Sequence, residues 1–309
     1  MSSKKIALIV NPNSANGRTG RKWPEIRAMA VNRLGPFNTW VTTGPGDAIN
    51  LARQCVHSGS EIVVCVGGDG TLNEVINGLM HERGFIDPGV ILGIIPSGTG
   101  CDFVRSMDIP NDLKTALDNI AHNRSRCIDL GKLTYRNHDG DLACRYFHNV
   151  VSFGLGGEVD KRVNRTTKMF GGFVSFVWAT LISVLSYKKK HIALSIDHGF
   201  YQDVIAWNVA VANGSYHGGG MCVAPGADLY DGIFQVTVIG DLKTHEVFMN
   251  LPKLYNGRIY DHQKIVKLTG REIWASSPQE VLVDMDGEQP GRLPVHVEII
   301  PSAINIICR

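Results

Sequence analysis

Three short loops rich in glycine, serine and threonine carry the groups in this chain that could do chemistry. "VGGDGT" (Val66–Thr71), "NPNSANGRTG" (Asn11–Gly20) and "PSGTG" (Pro96–Gly100) each follow an apolar run. Gly67, Gly68 and Gly70 remove β-carbons, so backbone N–H groups can approach an anion, and the helix opening at Thr71 adds its dipole. Any one such loop is ordinary; three at one edge of a parallel sheet suggest a cradle for a nucleotide polyphosphate. An aspartate among phosphate-binding amides repels phosphate unless a cation or a hydroxyl lies between. Asp69 therefore reads as a magnesium-side or hydroxyl-orienting group in phosphoryl transfer. No GxxxxGK[ST] loop is present, because Arg21 stands where its lysine would be, and the first strand–helix turn lacks GxGxxG. Phosphate charge is then left to backbone dipoles, a metal and Arg18 or Arg21.

A second group of acids lies far along the chain. In "VLVDMDGEQPG" (Val281–Gly291), Asp284, Asp286 and Glu288 alternate, which in an extended segment puts them on one face. Valines followed by Asp-Gly also make a hairpin turn, and the pattern leaves both readings open. "APGADLYDGIF" (Ala224–Phe234) poses the same choice between a turn and a metal-binding loop at Asp231-Gly232. The eleven histidines show no HExxH spacing, and the seven cysteines are scattered without a CxxC pair, as in a reducing compartment. A net charge of +2 gives no footprint for a nucleic-acid partner.

The elements that must position these residues change character along the 309 residues. Strands expected at 4–10, 37–43, 61–66 and 90–95 interleave with helices expected at 23–34, 47–57 and 111–122 and after the GGDGT loop. That alternation gives a parallel α/β sheet. Pro24 suits the first turn of its helix, and Asp47 and Asn111 are candidate caps. After about Arg124 the runs become short and β-rich, at 145–153, 192–196, 204–211, 234–239, 263–268, 281–283 and 295–300, as in an antiparallel sandwich. We expect an α/β nucleotide-binding domain over 1–124 and a β-rich domain over 125–309 whose last residues can pack back on the first. A cleft between the two is the default ligand site.

One segment stands apart. "MFGGFVSFVWATLISVLSY" (Met169–Tyr187) is uncharged and long enough to span a bilayer, yet Ser175, Ala179, Ser183 and Ser186 make a small polar stripe at helical spacing. It reads as a buried or cleft-lining helix rather than a span. Lys188–Lys190 reads as a solvated face. The N-terminal apolar run is too short for a signal peptide, so a cytoplasmic location is expected.

Taken together, "NPNSANG", "GGDGTLNEVINGL", "PSGTGCDFVRS", "ANGSYHGGGMCVAPGADLYDGIF" and "VDMDGEQ" resemble, in order and over nearly the whole chain, the diacylglycerol kinase catalytic-domain family. That family includes soluble bacterial lipid kinases and the sphingosine and ceramide kinases. The resemblance implies a NAD-kinase/phosphofructokinase-like first domain and transfer of the γ-phosphate of ATP, with Mg²⁺, to a lipid hydroxyl. It assigns Asn11, Pro12, Asn13, Ser14, Thr43 (or Thr42), Gly67, Gly68, Asp69, Gly70, Thr71, Glu74, Gly98 and Thr99 to the nucleotide. It makes Asp286 the proton acceptor with Glu288 beside it, and Asp231 a magnesium ligand with carbonyls near Asp228 and Ile233. The family's "GTxND" motif has Asn where this chain has Cys101, and a thiol cannot supply both the donor and the acceptor of an amide. Partners implied are a lipid substrate and a transient membrane surface, and a homodimer is compatible. A NAD kinase and a catalytically weak lipid or nucleotide sensor are the alternative readings.

Overall fold

The computed structural model of the chain describes residues 4–81, 84–165, 180 and 182–308. Most of the 169–187 segment singled out above, including Phe176 and Trp178, lies outside the described residues. The chain divides into two compact units, Met1–Asp129 with Pro301–Arg309, and Leu130–Ile300.

In the first unit, β1 (Ile6–Val10), β2 (Asn38–Val41), β3 (Ile62–Gly67) and β6 (Ile91–Pro96) are parallel in the order β2-β1-β3-β6, and a short hairpin, β4 (Met80–His81) and β5 (Gly84–Phe85), precedes β6. All six residues of β3 are buried, which explains an unbroken apolar run in place of alternation. Helices α1 (Ser14–Leu34), α2 (Asp47–His57), α3 (Asp69–Leu79), α4 (Asp102–Ser106) and α5 (Leu113–His122) connect them. Ile26 and Ala30 of α1 and Ala116, Leu117 and Ile120 of α5 pack on Leu8, Val64, Val66 and Ile95.

The first helix differs from its expected span. It is assigned from Ser14, passes through left-handed Ala15, Asn16 and Gly17, and runs regularly from there, so Pro24 falls inside it and not in its first turn. Two caps also differ. Asp112, whose backbone is extended, accepts the Thr115 N–H at the start of α5 in place of Asn111, and Asp47 turns back to accept from Thr43. The chain end returns to this unit: Ile306 lies beside Leu92 in parallel, and the Cys308 N–H donates to the Arg124 carbonyl.

The second unit is antiparallel. Its strands are β7 (Ser125–Arg136, shared with the first unit), β8 (Leu142–Phe147), β9 (Val150–Gly154), β10 (Lys190–Ile196), β11 (Phe200–Ala206), β12 (Asn208–Ala212), β13 (Tyr216–His217), β14 (Met221–Cys222), β15 (Phe234–Ile239), β16 (Ile265–Gly270), β17 (Glu272–Ser276), β18 (Leu282–Met285) and β19 (Glu288–Ile307). One path runs β16-β15-β12-β9-β18-β19, while β10 pairs with β11 and β17, and β7 with β8. Inward residues of these strands form one core around Phe147, Phe153, Phe234 and Val283, with the Phe147 and Phe234 rings stacked at 5.7 Å. Helix α6 (Leu155–Arg165) follows β9 and α7 (Thr244–Tyr255) follows β15.

The sequence reads 145–153 as one strand, but the chain breaks at His148–Asn149 between β8 and β9. The cause is an acid from the far end of the unit, described next.

Candidate active site

In the first unit the three phosphate-type loops are tied to one another by side chains. Asn11 donates through Nδ2 to Thr71 Oγ1 at 2.8 Å, while its Oδ1 accepts the Asn13 N–H at 3.0 Å. Ser14 Oγ lies 2.5 Å from Thr19 Oγ1, which lies 2.6 Å from Ser97 Oγ, so a chain of hydroxyls crosses from the first loop to the third. Thr19 is fully buried. Sequence reasoning missed it, because only the fold brings it to Ser97. Gly68 and Gly98 meet backbone to backbone: a Cβ on Gly98 would stand 2.5 Å from Gly68 Cα.

The acids of these loops are committed to the scaffold. Asp69 accepts from the Asp102 and Phe103 N–H groups at 3.1 and 3.2 Å, so its carboxylate holds the first turn of α4. The aspartate thus faces the amides that open α4, just beyond the third loop. Glu74 likewise accepts from the Gly46 and Ala48 N–H groups at 2.8 and 3.1 Å and fixes the start of α2. Thr43 donates to Asp47 through both its N–H and its hydroxyl. Cys101 is buried in the left-handed region at φ 52°, a conformation that Asn adopts more readily than Cys. Its thiol pKa is raised by burial first and by the Asp69 charge second. Beside the first and third loops, a cavity of about 400 Å³ is lined by Arg18, Lys22, Glu25, Ser97 and Gly98, among others. Pro12, Gly67, Gly70 and Thr99 lie within or next to these loops.

In the second unit Asp286 and Gly287 form a two-residue hairpin turn between β18 and β19, with φ 49° and 87°, and Met285 pairs with Glu288. The turn aims the Asp286 carboxylate back at the break between β8 and β9. It accepts the backbone N–H groups of His148, Asn149 and Val150 at 3.0, 3.1 and 3.0 Å, and His148 Nδ1 lies 2.9 Å away, at ion-pair distance. Its side chain is 1% exposed. Burial opposes its ionisation, but the His148 charge and the donated hydrogen bonds win, and the pKa falls to about 2.

The Asp286 carboxylate is thus occupied by three backbone amides and His148, and it shapes the break between β8 and β9. The alternation of Asp284, Asp286 and Glu288 on one face fails, because the turn sends them to three different partners. Glu288 pairs with Arg145 at 2.8 Å. Asp284 turns inward, where its Oδ2 lies 2.7 Å from His217 Nε2 and accepts from Ser152 Oγ at 3.1 Å.

The last group lines an otherwise apolar cavity of about 110 Å³. Val159, Val184, Trp207, Val247, Leu251 and Leu254 form its walls, with His217, Asp284, Ser152 and Asn208 at its polar part. Its size suits the start of an acyl chain rather than the whole of one. The histidine was not singled out by sequence, since no local spacing links residues 217 and 284.

Asp228 and Asp231, on the loop before β15, each accept an N–H two residues on, from Tyr230 and Ile233. Both are exposed. Among the described residues no three His, Cys, Asp or Glu side chains gather into a metal site. No helix among the described residues is long and apolar enough to cross a membrane.

Comparison with known proteins bears on the fold and on the family resemblance. Residues 5–133 match the diacylglycerol kinase catalytic domain, and residues 149–308 match the YegS C-terminal NAD kinase beta sandwich-like domain. Diacylglycerol kinases from Staphylococcus aureus strains bovine RF122 / ET3-1 and MRSA252 are each 26% identical over 294 residues, covering 95% of this chain and 89% of theirs. The crystal structure of a diacylglycerol kinase from Bacillus anthracis str. Sterne, 21% identical, superposes with a TM-score of 0.71, covering 100% of this chain and 98% of that one. A yeast NADH kinase complexed with NADH, 12% identical, gives 0.53, covering 100% and 84%, which extends the likeness to the fold alone.

Proposed function

The chain belongs to the diacylglycerol kinase family of lipid kinases, and from that premise we propose that it transfers the γ-phosphate of MgATP to the hydroxyl of a diacylglycerol-like lipid. The observation that carries the lipid half of this reading is the cavity of the second unit, with hydrocarbon walls and hydrogen-bonding groups at one part. A hydroxyl bearing acyl chains matches both features, whereas a second nucleotide would leave the walls without a partner. The nucleotide half rests on the linked loops of the first unit. There the amides of Gly67, Gly68, Gly70, Gly98 and Thr99 offer hydrogen bonds to phosphate oxygens, Arg18 and Lys22 add positive charge, and Asn11, Asn13 and Ser14 hold the first loop in shape.

Magnesium bound with ATP would neutralise phosphate charge. The Asp228–Asp231–Ile233 loop would hold a separate, structural cation. Asp69 and Glu74 contribute by positioning loops. The enzyme works in the cytoplasm and touches the membrane surface to collect its substrate, a contact that the exposed Met249 and Tyr255 of α7 favour.

Helix α7 supplies a direct test, because none of its residues is buried. Leu251→Asp puts a charge into the apolar wall. It should raise the KM for lipid about 10-fold or more, as expected for an unpaired charge in an apolar site, and leave MgATP affinity and Tm nearly unchanged. An unaltered lipid KM, or an equal loss of ATP affinity, would contradict the assignment of this cavity to the lipid.

A further inference from the structure

Of the three lysines that the sequence reads as a solvated face, Lys189 pairs with Asp241, while Lys188 and Lys190 line a polar cavity of about 340 Å³ in the second unit. Arg162 of α6 lines it too, so among the described residues three cations share its lining with one carboxylate, that of Glu158. One wall is the helical stretch 182–186. Ser183 lies on it, and Tyr187, whose N–H donates to the Ser183 carbonyl at 2.8 Å, follows one turn later on the same face. Both side chains line the cavity. Ser183 is 1% exposed, and both hydroxyl oxygens are buried with no hydrogen-bond partner among the described residues. Ser186 differs from them: it accepts from Arg162 Nη2 at 3.2 Å, donates to the Ile182 carbonyl at 2.9 Å, and so helps to fix the guanidinium. A buried hydroxyl without a partner is a net cost to the fold, and two at one cavity mark a place suited to a ligand that accepts hydrogen bonds.

Tyr187 remains a donor at neutral pH, since burial first and the Glu158 charge second raise the pKa of its hydroxyl. A ligand that accepts from two hydroxyls and carries charge opposite to three cations has the chemistry of a phosphate group, whose oxygens accept several bonds at once and suit the guanidinium fork. We propose that this cavity binds the phosphate group of a polyhydroxy phosphate ester, through the Ser183 and Tyr187 hydroxyls and the charge of Arg162, Lys188 and Lys190. The Glu158 carboxylate repels a phosphate but accepts from a free hydroxyl, so an ester whose alcohol keeps such a hydroxyl matches the lining better than a bare phosphate ion. A soluble ester and the head of a phospholipid share this chemistry. Val184, on the same helical stretch, lines the apolar cavity described above, so the two cavities share one wall. The inference does not rest on the lipid-kinase reading, because binding here needs no turnover.

Calorimetric titration of the full chain with glycerol 3-phosphate tests the site, beside sedimentation with phosphatidylcholine vesicles that do or do not contain phosphatidylglycerol. Phosphate can also enter the loops of the first unit, but Ser183→Ala and the double variant Lys188→Gln/Lys190→Gln leave those loops intact, so their difference from the parent isolates this cavity. Ser183→Ala should weaken binding about 10-fold, and the double variant about 10-fold or more, the scale for hydrogen bonds and charges that meet an ionised group. In phosphate-free buffer Ser183→Ala should melt no lower than the parent, because it removes a buried hydroxyl that has no partner. That measurement separates a lost ligand from a damaged fold. Variant-sensitive binding of glycerol 3-phosphate supports a soluble ester, and variant-sensitive binding of phosphatidylglycerol vesicles alone supports a lipid head. Affinities for both probes that are the same in parent and variants, or no binding of either, overturn the inference. A Ser183→Ala protein that melts several degrees lower without phosphate also overturns it, since the hydroxyl would then serve the fold itself.

Discussion

Asp286→Ala is expected to destabilise the second unit by about 4 kcal/mol, the scale for removing one partner of a buried ion pair, lowering its Tm by roughly 10 °C. The substitution leaves three successive N–H groups at the β8–β9 break without their acceptor and His148 without its counter-charge. Each buried donor stripped of its partner costs about 1–3 kcal/mol before relaxation. The pH dependence follows from the depressed pKa. The folded value of about 2 lies below the ordinary aspartate value of 3.8. The carboxylate therefore contributes stability that is complete above pH 3.8 and is lost as pH falls through 2, about 2 kcal/mol in all. Urea unfolding at pH 7 and pH 2.5 should show that loss in the parent and not in the alanine variant. Were Asp286 a catalytic base instead, the variant would be folded and dead, with stability within about 1 kcal/mol of the parent, the range of a substitution that breaks no buried network.

Gly98→Ala should weaken MgATP binding about 10- to 100-fold, or roughly 1.4–2.7 kcal/mol. Its Cβ would meet the Gly68 α-carbon at 2.5 Å, and backbone pressed on backbone has no flexible side chain to yield. Relief requires the second and third loops to part, and that misaims the amides of both. Gly68→Ala, whose Cβ would meet Gly98 Cα at 3.0 Å, should do the same less severely. Calorimetric titration with MgATP checks both variants. A Kd within threefold of the parent for Gly98→Ala would remove the paired glycine loops from the nucleotide site.

The parallel sheet of the first unit was legible because buried strands and amphipathic helices write their burial locally, as in Ile62–Gly67 and Leu113–His122. The three loops were legible for the same reason: glycine, serine and threonine mark turns wherever they fall. What local pattern could not express was the direction of acidic side chains. Asp69 reads from sequence as a metal-side or hydroxyl-orienting group, and only the fold shows that the amides of α4 also meet it. Glu74 is assigned to the nucleotide by resemblance, and only the fold shows that its carboxylate also accepts the amides that open α2. Asp286-Gly287 fitted a turn and an active-site motif equally. Its positive φ angles, and the break it stabilises near residue 148, depend on a pairing across more than 130 positions. His217 and Thr19 were invisible for a related reason, since each acquires its meaning from a partner more than 60 residues away.

The central claim is that the amide loops of the first unit and the apolar cavity of the second serve one reaction, phosphorylation of a lipid alcohol. Incubating the purified protein with γ-labelled MgATP, a panel of hydroxyl lipids in mixed micelles and NAD as a soluble acceptor tests it directly. The account predicts label in a diacylglycerol-like lipid and none in NAD. Label in NAD, or ATP binding with no label in any acceptor, would contradict it.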